Sequence, residues 1–229
     1  MGNASLNAVD STHRSCIKIL LGVRNSTPNN IVYLESGTVP LHCKILFLQL
    51  KYWMKISAFA RENPDSYLSK AIDLGLRNNV PFIKYYTSLE SKFSTPLDCF
   101  NYYKAEFENS CRNAFNQITD LNSPLGVYKT INITLNKPCF DTFEPDRILI
   151  SKYRSGSHNL LIEKGRWSRI PRHERICNKC DSQEVQNLYH VLYRCESTRS
   201  IHTNHYSIND FFNSPDCAKI LKIIDDIFI

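Results

Sequence analysis

Four side chains able to bind a soft metal ion stand within nineteen positions of one another: Cys177, Cys180, His190 and Cys195, spaced C-x2-C-x9-H-x4-C. Two thiolates separated by two residues reach a common ion from one tight turn. A histidine and a cysteine five apart fit on, and just past, a helix. Thiolate and imidazole in this combination suit the tetrahedron that zinc prefers. Four protein ligands fill that tetrahedron and leave no position for an activated water, so the ion would act as a staple. Two other readings exist. The four residues could pack as ordinary buried side chains in a cysteine-rich chain, or Cys177 and Cys180 could form a redox pair, although no βαβ pattern surrounds them. The close pair and the short window favour zinc.

Immediately upstream runs KYRSGSHNLLIEKGRWSRIPRHER. Between Arg147 and Arg175 lie eight basic residues, Arg147, Lys152, Arg154, Lys164, Arg166, Arg169, Arg172 and Arg175, opposed only by Glu163 and Glu174. The surplus of six equals the net charge of the whole chain, so a polyanion is expected to meet the protein here. Arginine offers rigid donor forks to phosphate, and Trp167 could stack on an unpaired base or on an arginine. The competing reading is a solvated basic face, with Trp167 buried beside the metal module. Candidate nucleic-acid contacts are Lys152, Arg154, Lys164, Arg166, Trp167, Arg169, Arg172 and Arg175.

The rest of the chain reads as helices. With 42% hydrophobic residues in 229 there is enough apolar surface for a core. Seven glycines and ten prolines are few for a many-stranded sandwich. Asp10 or Ser11 is expected to cap a first helix through Leu21, stopped by Gly22. Pro40 suits the first position of a long helix in which Leu41, Ile45, Leu48, Tyr52 and Ile56 recur at helical spacing. Asn63-Pro64 opens another toward Arg77, and Leu97 to Ile118 reads as the next. Residues 122–142, rich in Asn, Pro and Thr, are the expected linker. Pro145 to Tyr153 starts a further helix, a turn follows at Gly156, and FNSPDCAKILKIIDDIFI closes the chain as an amphipathic helix. The expected architecture is therefore mainly α: a helical segment over 1–121, the linker, and a basic segment over 143–229 that carries the zinc module and terminal helices.

Nine scattered cysteines are an odd number, and MGNASLNAVD has neither the basic start nor the apolar core of a signal peptide. A reducing, intracellular setting is expected, with Cys16, Cys43, Cys99, Cys111, Cys139 and Cys217 buried and reduced. His158 and His173 are expected at the surface or as caps. No apolar run is long enough for a membrane span, so no membrane partner is expected.

The order Ser157-His158-x-Leu160-x-Ile162-Glu163-x-Gly165-Arg166-Trp167, then Cys-x2-Cys, then Tyr-His-x4-Cys, resembles the C-terminal region of non-LTR retrotransposon reverse transcriptases of the Jockey-like type. More loosely, CIKILLGVRNSTPNNIVYLESGTVPLHCKILFLQLKYWMKI is similar to the helical stretch that follows the polymerase in that family. The resemblance implies a zinc-knuckle-like module binding element RNA or target DNA for a polymerase domain upstream. It covers most of the chain and is specific around residues 151–195. Two positions depart from the family pattern: Asn187 and Leu188 stand where acidic residues are common, and Glu196 follows the last cysteine in place of proline.

The chemistry of that family is not written in this chain. A palm needs paired aspartates on a strand hairpin, and the adjacent pair Asp225-Asp226 falls in KIIDDIFI, expected as the polar face of a terminal helix. A nuclease of the restriction type needs Pro-Asp followed by Glu-x-Lys; after Pro145-Asp146, Glu163 and Lys164 are adjacent. No phosphate-binding glycine loop occurs. The expectation is a nucleic-acid-binding, zinc-stabilised segment with no catalytic residues and no small-molecule substrate. The alternative is a zinc-shaped interaction module that docks on a polymerase or another protein without touching nucleic acid.

Overall fold

The computed structural model describes residues 3–119, 124–131, 144–201 and 207–228. The helices are α1 (Asn3–Leu21), α2 (Asn29–Ser36), α3 (Leu41–Glu62), α4 (Tyr67–Arg77), α5 (Pro81–Lys92), α6 (Pro96–Asn116), α7 (Pro124–Thr130), α8 (Glu144–Arg154), α9 (Leu161–Trp167), α10 (Leu188–Tyr193), α11 (Ile208–Phe212) and α12 (Cys217–Phe228). Short 3-10 turns lie at Arg172–Glu174 and Glu196–Ile201. Among the described residues there is no β-sheet, only an isolated antiparallel bridge between Ile176 and Val185. The mainly helical class expected from the sequence is the class observed.

Several helix ends differ from the expectation for a physical reason. Helix α1 begins upstream of Asp10, so Asp10 does not cap it. Its carboxylate instead accepts the Leu41 N–H at 2.9 Å. That N–H opens α3 behind Pro40, a residue with no side-chain acceptor of its own. Ser66, just beyond Asn63-Pro64, caps α4 by accepting the Ser69 N–H at 3.1 Å. Gly22 ends α1 as expected, at φ 63°, a left-handed conformation that glycine adopts without a Cβ penalty.

The chain forms two compact units, residues 1–11 with 39–110, and residues 12–38 with 111–229. In the first, α3, α4 and α5 pack together around Leu50, Trp53, Tyr86, Leu89, Phe93 and Cys99. Each large side chain buried there contributes roughly 1.5–3 kcal/mol. Glu90 ties α5 to α3: its carboxylate accepts the Trp53 indole N–H (2.9 Å) and the Ser57 hydroxyl (2.9 Å), and pairs with Arg61 at 2.7 Å.

The second unit is built on α8 against α12, whose buried Cys217, Leu221 and Ile224 lie at helical spacing. They share a core with Leu149, Ile150, Tyr153, Leu160, Val191, Leu192 and Phe211. Of the expected linker, residues 122–123 and 132–142 lie outside the described residues. Its middle, 124–131, is not linker-like: it carries α7, and Tyr128 and Ile131 are buried. Asp225 accepts the Tyr153 hydroxyl at 2.5 Å, so this half of the Asp225-Asp226 pair joins two helices.

A buried ion pair also belongs to this unit. Glu35 is almost fully enclosed, Arg154 Nη1 lies 3.7 Å from its carboxylate, and the Ser151 hydroxyl donates to it at 3.3 Å. Burial pushes the Glu35 carboxyl above its usual range, and the Arg154 charge opposes that. Cys43, Cys99, Cys111 and Cys217 are buried, whereas Cys16 is exposed, contrary to expectation. Cys139 lies outside the described residues.

Candidate metal centre and the basic face beside it

The ligands are brought together by one short hairpin and one short helix. Around the Ile176–Val185 bridge, Cys177 N–H donates to the Glu184 carbonyl (2.8 Å) and Gln186 N–H to the Arg175 carbonyl (2.9 Å). Cys177 and Cys180 lie on the loop that this ladder closes, with Gln183 at φ 56° completing the reversal. Helix α10 then starts at once, because the Asn187 side chain accepts the His190 N–H at 2.8 Å. An N-cap needs a short acceptor in extended backbone, which Asn supplies. Cys195 follows the helix end, its N–H donating to the His190 carbonyl at 2.8 Å.

The four ligand atoms lie within 4.8 Å of one another. Cys177 Sγ and Cys195 Sγ are 3.8 Å apart, and Cys180 Sγ and His190 Nε2 are 3.4 Å apart. A zinc tetrahedron with ordinary bond lengths puts sulfur–sulfur pairs about 3.8 Å and sulfur–nitrogen pairs about 3.6 Å apart. No disulfide joins Cys177, Cys180 or Cys195 to another cysteine among the described residues. Cys177, His190 and Cys195 are buried and Cys180 is half-buried, so the cage is closed. Donor type, number and spacing fit zinc, and these four residues would hold it.

The surroundings complete the fit. Glu184 Oε2 lies 2.9 Å from His190 Nδ1, which places the ring proton on Nδ1 and turns Nε2 toward the cysteines. Arg194 holds the other oxygen of Glu184 at 3.0 Å. His190, then Arg194, hold the Glu184 carboxyl below the usual range. The Gln186 amide donates to Cys177 Sγ at 3.6 Å. Burial alone would raise the Cys180 thiol, but the Ser182 hydroxyl and the neighbouring thiols bring it down to about 6, while burial pushes Cys195 up to about 11. Thr198 donates to the Val191 and Cys195 carbonyls and pins the exit from the module. Acidic residues just before Tyr189-His190 are absent, yet an acid reaches the histidine from the hairpin.

The basic residues expected to meet a polyanion divide into two groups. Arg154 is employed in the interior: beside Glu35, it donates to the Phe212 carbonyl at 3.1 Å and lies 5.3 Å from that ring. Arg175 spends its guanidinium on the Ile162 carbonyl (2.7 Å) and the Ile170 carbonyl (2.7 and 2.9 Å). Gly165 makes this clamp possible, since a Cβ there would stand 2.8 Å from Arg175 Cγ. Lys164, Arg166 and Arg169 are exposed, and Lys152 and Arg172 are half-buried. Arg166 also pairs with Glu163 at 2.7 Å.

Trp167 is not buried beside the metal cage. It is 48% exposed, with Arg166 5.0 Å and Arg24 4.9 Å from its ring centroid. His158, expected at the surface or as a cap, is a buried cap: Nδ1 accepts the Leu160 N–H at 3.3 Å, and its ring stacks on Tyr153 at 4.8 Å. Burial, with the nearby Arg24 and Arg166 charges, lowers it to about 3. His173 is exposed. Sequence reasoning missed Glu184, Gln186 and Arg24. An acid leading back toward a ligand histidine was the available signal for the first; nothing local marks the other two.

Fold and site together define a class: a mainly helical protein with a closed Cys3His zinc site. The chain matches no protein family, curated protein or solved structure with which it was compared.

Proposed function

We propose that this chain is a zinc-stabilised nucleic-acid-binding segment, equivalent to the C-terminal part of a non-LTR retrotransposon reverse transcriptase and working inside the cell. The observation that carries the proposal is the outward basic group Lys164, Arg166 and Arg169, set around the half-exposed Trp167. The zinc cage fixes the fold, and the basic side chains meet the phosphates of RNA or DNA independently of sequence. A polymerase domain is the expected companion, with this chain positioning the strand. Binding to single-stranded RNA and duplex DNA across a salt series tests the reading. Affinity should fall steeply with salt, and Arg166→Ala and Arg169→Ala should each weaken it. Unchanged affinity in both variants would sink it.

A second reading has its own support in the first unit. Leu48, Tyr52 and Phe59 are exposed on α3 at 60%, 68% and 51%. Their spacing places them along one helix face. An apolar stripe of that kind suits docking to another protein such as a polymerase. On this reading Leu48→Glu abolishes a protein complex while nucleic acid is never bound.

A further inference from the structure

In the second unit a cleft of about 270 Å³ opens between the loop after α1 and the turn after α8. Arg24, Ser26 and Thr27 line one side, and Ser155, Ser157 and Arg166 the other, with Trp167 at the rim. We propose that this cleft is a phosphate-binding site, formed by the Arg24 and Arg166 guanidinium groups and the hydroxyl of Thr27. Its assignment to nucleic acid rests on the function proposed above.

The guanidinium groups are held in place before any ligand arrives. Arg24 Nη2 donates to the His158 carbonyl at 3.3 Å, and its backbone N–H to Ser157 Oγ at 3.2 Å. Glu163, buried, pairs with Arg166 at 2.7 Å. Trp167 lies against both arginines. Two positive charges face one negative charge, so the cleft keeps a positive surplus. Arg24 Nη1 is buried beside the cleft and has no hydrogen-bond partner among the described residues.

The hydroxyls are chained as well. Ser155 donates to Ser157 at 3.1 Å, and Ser157 lies 3.1 Å from Thr27 Oγ1. Ser157 accepts from Ser155 and from the Arg24 N–H, so where its own hydroxyl donates to Thr27, the Thr27 hydroxyl hydrogen is left for an acceptor in the cleft. Donors converge from the loop after α1, which carries Arg24 and Thr27, and from the end of α9, which carries Arg166. A planar carboxylate offers two oxygens in one plane, whereas a tetrahedral phosphate offers oxygens to both sides. Arg24 stands far outside the basic window 147–175. Generic attraction to that window therefore gives it no part.

The test uses the zinc-loaded full chain and indole-resolved 1H–15N spectra, in which Trp53 serves as the internal control and Trp167→Phe assigns the peaks. Titration with inorganic phosphate should shift the Trp167 resonance saturably, while acetate at equal ionic strength should not. Arg24→Gln should weaken phosphate binding at least tenfold, and Thr27→Val provides a second variant should Arg24→Gln fold poorly. Single-stranded RNA with a 5′-phosphate is then compared with its 5′-hydroxyl counterpart. Tighter binding of the first, lost in Arg24→Gln, assigns the cleft to a strand end; equal binding, weakened alike by Arg24→Gln, assigns it to a backbone phosphate. No saturable shift with phosphate in the unsubstituted protein overturns the proposal, even where RNA binds through Arg166 and Arg169. A phosphate site that works while RNA does not bind overturns the nucleic-acid reading and leaves the cleft standing.

Discussion

Glu184 Oε2 accepts from His190 Nδ1 at 2.9 Å, across the hairpin that carries two of the three cysteines. This bond fixes the imidazole tautomer and presents Nε2 to Cys180. A carboxylate behind a ligand histidine raises its basicity and restricts its rotation. Glu184→Ala should therefore weaken zinc affinity by about 10- to 100-fold. Competition with a chromophoric chelator reads this directly. Arg194→Ala, which frees only the far oxygen of Glu184, should do less.

The purified chain should contain one zinc, and Cys177→Ser or Cys195→Ser should lose it. Because the hairpin and α10 are small and share the cage, removal of the ion should unfold them together. Metal analysis and circular dichroism before and after chelator provide the check. Helicity indifferent to chelator, with far less than one zinc per chain, would falsify the metal assignment.

Two arginines of the same basic window should behave in opposite ways. Arg154→Ala leaves the enclosed Glu35 without its cation, at a cost of about 3–5 kcal/mol in denaturant unfolding. Arg169→Ala, on the surface, should change stability by less than about 0.5 kcal/mol. On the proposed function it should also lower the slope of log affinity against log salt by about 0.7–0.9.

Gly165→Ala should destabilise the second unit by about 1–3 kcal/mol, through overpacking against the Arg175 stem. Arg175→Ala removes the obstacle and the clamp together. The double variant should then be no less stable than Arg175→Ala alone, a non-additivity visible in thermal melts.

The depressed His158 gives the second unit a pH dependence of definite sign. Its folded pKa of about 3 lies below the unfolded value of about 6.5, so its contribution is complete above pH 6.5. That contribution should fall by up to about 1.4 kcal/mol per pH unit as pH drops toward 3. His158→Asn keeps an acceptor for the Leu160 N–H without a titrating ring, and should remove this part of the slope. Zinc release also destabilises at acid pH, so the difference between the two proteins is the quantity to measure.

The sequence by itself determined the ligand set, the helical class and the turn positions at Gly22 and Gly156. These depend on residues close along the chain: a CxxC turn, a histidine and a cysteine at helical spacing, a left-handed glycine. Spacing also marked α12 as an amphipathic helix. Tertiary structure alone decided which side chains are spent. Asp10 sits where a cap for α1 is expected, yet it caps α3, since nothing local tells a carboxylate which helix end will come near it. Arg154 and Arg175 are indistinguishable in sequence from Arg166 and Arg169, but backbone carbonyls and Glu35 claim the first two. Arg24 meets Ser157 and His158 across separations of 133 and 134 residues. A basic window can be counted from sequence; which charges remain for a partner depends on the acceptors that folding brings to them.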